Sequence, residues 1–273
     1  MSLLSYPAIA LTTSAAGGEG QNPFEVLYSH IVAHLSGEFL GMAWWNFQWF
    51  QLASVVLIFL VFASVRKSVV TGGQGILGKV LAGWVTWIRD EMVYPNMGEK
   101  VGRKFLPFFL SLFFFILFMN LLGLVPAGAT ATASVYVSAA LATITFCVMV
   151  FGGMIVQGPV KFWTGLVPHG VPAWLLPLIF PLEVIGLLIK PIALTVRLTA
   201  NMMGGHLVLL SFMGLAFYFG STLGTGIGLA VTPVSIALAV FIMIIEGFVA
   251  LLQAYIFTLL SIIFVSHSLH PDH

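Results

Sequence analysis

Long apolar runs alternate with short polar segments along this chain, and they predict membrane-spanning helices. Residues 105–160 and 198–245 contain no charged residue. Since a helix crosses a bilayer in about 20 apolar residues, each of these intervals is long enough for two crossings. We predict five spans, at about 46–65, 105–125, 134–156, 174–219 and 233–266.

The last two predicted spans are longer than a helix that crosses a bilayer along its normal. Their helices must therefore be strongly tilted or broken. Breaks are expected at prolines, which remove a backbone hydrogen bond, and we expect them at Pro177, Pro181 and Pro191. A glycine-rich outer turn is predicted at residues 220–228.

Outside the spans, helical spacing of apolar residues predicts two amphipathic helices at membrane surfaces. One covers about 23–40, after a flexible tail at 1–22 that lacks the basic start of a signal peptide and is expected to remain unprocessed. The other covers about 76–94. We therefore divide the chain into an outer N-terminal segment, 1–45, and a single membrane domain, 46–273.

Composition supports an all-α integral membrane protein. Hydrophobic residues make up 60% of the chain and charged residues 7%, against about 25% charged residues in soluble domains. No Lys or Arg precedes Arg66, whereas residues 66–104 are rich in both. The positive-inside rule therefore places the N-terminus outside and the C-terminus in the cytoplasm. The single Cys147 excludes an intramolecular disulfide and is expected to serve packing.

Other chemistries have little support in the sequence. His30 and His34 have metal-ligand spacing, but a solvated helix face explains them. His267, His270 and His273 lie at a chain end, where fraying argues against a metal site. We expect no metal, no cofactor and no nucleic-acid partner.

The chemistry concentrates in Pro181–His206. Glu183, Lys190 and Arg197 lie seven residues apart, which on a helix places them on one stripe at steps of about 10.5 Å. Asn201 continues that stripe. Each charge at bilayer depth costs on the order of 3 kcal/mol, so a functional role is the default interpretation.

Arg197 is the central residue of this stripe, because a guanidinium stays charged and cannot carry protons by titrating. Its natural partner is a carboxylate. Glu183 lies about 21 Å away along a regular helix, too far to pair. Either Glu246 approaches from the next helix, or the partner belongs to another protein.

His206 and Glu246 form the candidate titratable pair. On an ideal helix His206 points away from Arg197 and lies about 13.5 Å further outward, where it could line a water path from outside. Gln253 shares a face with Glu246, while Glu183 would serve an inner path.

Simpler roles remain open for some of these residues. Lys190 could anchor its helix at the inner interface by extending its stem toward water. Asn201 and Gln253 could hydrogen-bond the two helices together without conducting anything.

Two motifs carry a resemblance to a known family. The run E183-VIGLLIKP-IALTV-R197-LTAN201-MMGGH206 and the later E246-GFVALLQ253-AYIF resemble subunit a of the membrane sector of F-type ATP synthases. The resemblance implies that Arg197 faces the essential carboxylate of a rotating c-subunit ring and separates two half-channels. It assigns Asn201, His206, Glu246 and Gln253 to the outer half-channel and Glu183 to the inner one. Some members exchange the acid and the histidine, which leaves the relay order of His206 and Glu246 open.

The expected function is thus a proton-conducting stator without ATP chemistry of its own, and we favour protons over sodium. The resemblance implies the c-ring, peripheral-stalk b subunits and the whole complex as partners, with lipid around them. We favour a bacterial inner membrane over a mitochondrial one. The rival interpretation is a self-contained proton-coupled transporter or channel, which should show inverted repeats and a midplane substrate site.

Overall fold

The computed structural model describes residues 35–39, 42–70, 76–124, 132, 134–166 and 173–269. It opens with an antiparallel hairpin of two strands, β1 (Leu35–Phe39) and β2 (Met42–Trp45). The apolar spacing predicts an amphipathic helix up to Leu40, so for its last residues that prediction is wrong. Glycines such as Gly37 weaken a helix, and each strand satisfies the backbone hydrogen bonds of the other. The predicted tail and the rest of that helix lie outside the described residues.

The remainder of the described chain is helical. The α-helices are α1 (Asn46–Val70), α2 (Ile76–Trp87), α3 (Tyr94–Gly123), α4 (Val135–Gln157), α5 (Pro159–Thr164), α6 (Leu176–Leu223) and α7 (Thr225–Leu269). A π-helical segment, Ile88–Val93, joins α2 to α3, and a 3-10 turn, Ala173–Leu175, precedes α6.

Four described helical stretches are long and apolar enough to cross a membrane, namely Gly78–Gly123, Val135–Gln157, Leu176–Thr222 and Thr225–Leu269. The shorter apolar stretch Gln48–Ser64 lies in α1. The prediction of an all-α membrane protein is therefore confirmed, the β1–β2 hairpin apart.

The predicted interfacial helix is helical, but it does not end before the second span. It continues through the π-helical segment into α3, and the interruption falls at Gly98, whose φ of 71° and ψ of 162° are not helical. Such a φ favours glycine, because a residue with a Cβ rarely adopts it. The short helix α5 was not predicted.

α6 and α7 are each a single continuous helix. Pro181 and Pro191 lie inside α6 without ending it, so the breaks expected there do not occur; Pro177 lies in its first turn, where a proline is tolerated. Each internal proline removes one hydrogen bond from a helix held by many others. The turn predicted at residues 220–228 consists of one residue, Gly224, with φ 99°. α7 therefore begins eight residues before the predicted span.

The helices pack around α7. α6 runs antiparallel to it, α3 packs against it and against α1, and α4 contacts both α6 and α7. Ala250 and Ala254 of α7 are fully buried, and such small side chains let neighbouring helices approach closely. Beside them, Phe257 of α7 and Phe109 and Phe113 of α3 fill the core.

A polar clamp holds the C-terminal ends of α4 and α7 together. Gln157 Nε2 donates to Ser268 O at 2.5 Å, and Ser268 Oγ donates to Met149 O at 2.6 Å. Gly153 lies beneath this clamp, where an added Cβ would overlap Ser268 Oγ and come within 2.6 Å of Phe162 Cε2. The clamp therefore requires glycine at this position.

Gly153→Ala is expected to destabilise the folded chain by about 1–3 kcal/mol, because overpacking forces neighbouring side chains out of their rotamers. The matched control is Gly152→Ala, whose Cβ would meet its nearest atom, Leu269 Cδ2, at 3.7 Å. The measurement is the thermal unfolding midpoint of both variants in detergent. Equal midpoints for the two would contradict the steric argument.

Candidate functional site

The site lies along the contact between α6 and α7. Three side-chain pairs link the helices: His206 with Glu246, Asn201 with Gln253, and Lys190 with Phe264. In each pair, moving toward the start of α6 means moving toward the end of α7, as expected for antiparallel helices. The pairs therefore occupy successive levels along one helix contact.

His206 and Glu246 form the pair nearest to the Gly224 turn. His206 Nδ1 lies 3.4 Å from Glu246 Oε1, and the two residues are 9% and 4% exposed. Within the described residues, neither Glu246 oxygen has a partner in hydrogen-bond geometry. A buried carboxylate without hydrogen bonds is costly when ionised. This pair is accordingly suited to gaining and losing a proton.

Gly205 allows that pair to form, and sequence reasoning missed it. A Cβ at this position would lie 2.6 Å from Glu246 Oε1 and 2.8 Å from its carboxyl carbon. The carboxylate therefore occupies the space that a side chain would fill. The only sequence signal is the Gly-Gly pair before His206, because glycine brings no chemical group of its own.

Asn201 and Gln253 form the next pair inward. Asn201 Nδ2 donates to Gln253 Oε1 at 2.8 Å, and Gln253 is 2% exposed. Gln253 Nε2 has no hydrogen-bond partner among the described residues. On the other side of α7, the buried Asn120 of α3 donates to Ala250 O at 3.4 Å. Asn201 and Gln253 thus connect the helices and still leave one buried donor for another polar group.

Arg197 lies on the face of α6 opposite the buried His206. Its side chain is exposed, whereas the neighbouring Leu198 is fully buried. In the part of the chain that the structure describes, Arg197 makes no salt bridge or hydrogen bond. Glu246 faces His206 instead. Glu246 therefore does not pair with Arg197. The other partner considered, a carboxylate of another protein, stays a prediction.

Lys190 and Glu183 lie where the start of α6 meets the end of α7. Both line a recess of about 360 Å³ between α4, α6 and α7, together with Gln157 and His267. Lys190 is half-buried, and its Nζ lies 5.2 Å from the centre of the Phe264 ring. Lys190 thus packs against α7 and lines this recess, and its role as an interface anchor stays a prediction.

The predicted site residues thus fall into three groups: two polar pairs at the α6–α7 contact, the exposed Arg197, and a recess near the start of α6. No cluster of three or more potential metal ligands occurs in the described residues.

Comparison with known proteins places the chain among membrane subunits of ATP synthases. The profile of the family described as ATP synthase A chain matches residues 47–266. ATP synthase subunit a of Myxococcus xanthus is 42% identical over 208 residues, covering 73% of this chain and 65% of that protein. The subunit a of Methylobacterium sp. is 34% identical over 224 residues, covering 82% and 86%.

A third relative, ATP synthase subunit a of Chloroherpeton thalassium, is 40% identical over 230 residues, covering 81% of this chain and 65% of that protein. The chain spans less than two thirds of the length of several of these relatives.

Gly205→Ala is expected to destabilise the folded chain by about 1–3 kcal/mol, because the new Cβ overlaps the Glu246 carboxylate. Glu246→Asp shortens that side chain by one methylene, so it should recover part of the loss in the double variant. Unfolding midpoints in detergent measure both effects. Gly204→Ala is the matched control, since its Cβ meets no atom within 4 Å. A strictly additive double variant would contradict the proposed overlap.

The hydrogen bond between Asn201 and Gln253 should appear as an energetic coupling. Replacing each residue with Leu, singly and together, is expected to give an interaction free energy of about 0.5–1.5 kcal/mol in a double-mutant cycle. The measurement is unfolding in detergent. A coupling near zero would indicate that the two side chains do not interact in the folded protein.

Proposed function

Because this chain belongs to the ATP synthase A chain family, we propose that it is the proton-translocating stator subunit of an F-type ATP synthase in a bacterial inner membrane. The proposal rests chiefly on one observation. Arg197 is exposed and unpaired within the described residues, while the polar residues on either side of it lie at helix contacts or in a recess. A fixed charge presented in this way calls for a carboxylate from another subunit.

Arg197 would act on a carboxylate of the rotating c-ring. Such a group can face lipid only when it is neutral, so it must release its proton to pass Arg197 and regain one afterwards. The guanidinium favours the ionised form as it passes. It also repels cations that would otherwise leak between two half-channels. Proton flow would then require rotation of the ring.

The outer half-channel would use the polar pairs of the α6–α7 contact. His206 and Glu246 receive protons from the outer side, and Asn201 and Gln253 lie between them and the level of Arg197. His206 is nine residues from Arg197, about 13.5 Å along the helix. Water hydrogen-bonded to Gln253 Nε2 could bridge part of that distance.

The inner half-channel would use the recess that contains Glu183. Arg197 and Glu183 are separated by about 21 Å along α6, and Lys190 lies midway between them. The recess has room for several waters, since one water occupies about 30 Å³ in the liquid. The two half-channels would thus open toward opposite ends of α6.

The surface around Arg197 suits a helical partner. Ala193 and Ala200 are exposed one turn to either side of Arg197, and Gly186 and Gly204 have no atom within 4 Å of an added Cβ. Small side chains allow the backbones of two helices to approach closely. We assign this face to the c-ring and expect b subunits on other helices of the bundle.

The N-terminus would lie outside and the C-terminus in the cytoplasm, which places the start of α6 and the end of α7 at the inner surface. The rival function, a self-contained proton-coupled transporter, differs in one consequence: the isolated chain would then move protons without a c-ring.

Arg197→Ala is expected to reduce ATP-driven acidification of inverted membrane vesicles by about 10²-fold or more, because it removes the fixed charge that the passing carboxylate requires. Arg103→Ala is the matched control. Arg103 is also exposed, but it lies in the basic inner segment, and Lys104 preserves the local charge.

Pumping is measured per assembled complex, with uncoupled ATP hydrolysis as the reference. Full pumping by the Arg197→Ala complex would overturn the stator proposal. Proton transport by the reconstituted isolated chain would favour the transporter instead.

A further inference from the structure

His267 is a titratable side chain that the proposed half-channels do not use. It lies in the last turns of α7, and its side chain is exposed. It lines the recess of about 360 Å³ that also contains Glu183 and Lys190. It also lines a second recess, of about 470 Å³, beside the break at Gly98. His267 thus stands between two spaces on different sides of α7.

Depth along the helix contact places His267 between the charged residues of α6. Lys190 faces Phe264, and His267 lies three residues, or about 4.5 Å, further toward the inner end. Glu183 lies about 10.5 Å from Lys190 in the same direction. Along the helix axis, the His267 imidazole therefore lies between Lys190 and Glu183.

The hydrogen bond of the ring indicates which nitrogen can exchange a proton. His267 Nδ1 lies 3.0 Å from Ile263 O. A carbonyl oxygen can only accept, so Nδ1 keeps its hydrogen and Nε2 is the basic atom of the neutral ring. Nε2 can take up one proton to give the imidazolium and release the same proton afterwards, with no other bond changing.

We propose that His267 is the proton-exchange residue at the inner mouth of the path, transferring protons between the inner water phase and the recess of Glu183 and Lys190. The proposal rests on the function proposed above.

The charged surroundings suit this role. Glu183 and Lys190 of α6 are the other titratable side chains lining the first recess, to which α4 contributes Gln157 and α5 contributes Phe162. Among the residues lining the second recess, His267 alone is titratable. Imidazole is the side-chain group that most commonly exchanges protons around neutral pH.

His267→Asn is the variant that tests the proposal, because an amide can keep a donor near Ile263 O but cannot titrate. Inverted vesicles expose the inner mouth to the medium. In weak buffer at about pH 8, the initial rate of ATP-driven acidification should fall about tenfold. A positioned acid–base group typically contributes about 10²–10⁴-fold, and the effect here should be smaller because water can partly replace the side chain. The deficit should shrink toward about pH 6, where protons are abundant. Added imidazole should restore the rate by replacing the missing group.

Three comparisons make the result decisive. His270→Gln with His273→Gln is the matched control and should pump normally. His267→Ala removes the hydrogen bond as well as the proton site, so it should match His267→Asn. All rates are divided by uncoupled ATP hydrolysis to correct for assembly.

Normal pumping by His267→Asn at every pH would overturn the proposal, and so would a deficit that imidazole does not repair. A loss confined to His267→Ala would indicate a purely structural hydrogen bond, and an equal loss in the control variant would indicate a general effect of the chain end. If Arg197→Ala abolishes pumping while His267→Asn does not, only this inference fails. If Arg197→Ala pumps normally, the stator function itself fails.

Discussion

The antiparallel contact between α6 and α7 is the constraint on which the site depends. Polar groups in an apolar bundle need partners, and here each partner comes from the facing helix. Glu246 is opposite His206, and Gln253 is opposite Asn201. If the helices separated, a carboxylate and an amide would both enter hydrocarbon unpaired. The contact therefore holds the two helices together, and in the function that we propose it also forms part of the proton path.

Arg197 stands apart from this pattern, and the contrast explains the division of labour that we propose. His206 and Glu246 are titratable and lie beside each other, whereas the guanidinium of Arg197 cannot titrate and has no carboxylate beside it in the described chain. In the function that we propose, this exposed charge is the one that acts on a partner subunit.

Much of this could be predicted from sequence, since hydropathy and the rarity of charge in apolar segments are local signals. These signals predicted the helical bundle and the concentration of charged residues in the last two helices. It was harder to predict which residues of α6 and α7 face each other, because this depends on the register of the two helices and hence on the position of the turn. The glycine-rich stretch 220–228 left that position open, whereas the structure places it at Gly224. Gly205 was not predicted, because it contributes no chemical group and only leaves room for the Glu246 carboxylate.

Gly224 also has a mechanical consequence. With one residue between α6 and α7, the connection has no slack, and at the other end Gln157 and Ser268 fasten α7 to α4. Neither long helix can slide past the other without unwinding an end. A lateral force on the Arg197 face would therefore tilt α6 and α7 together as one rigid unit. The His206–Glu246 and Asn201–Gln253 pairs would then stay aligned.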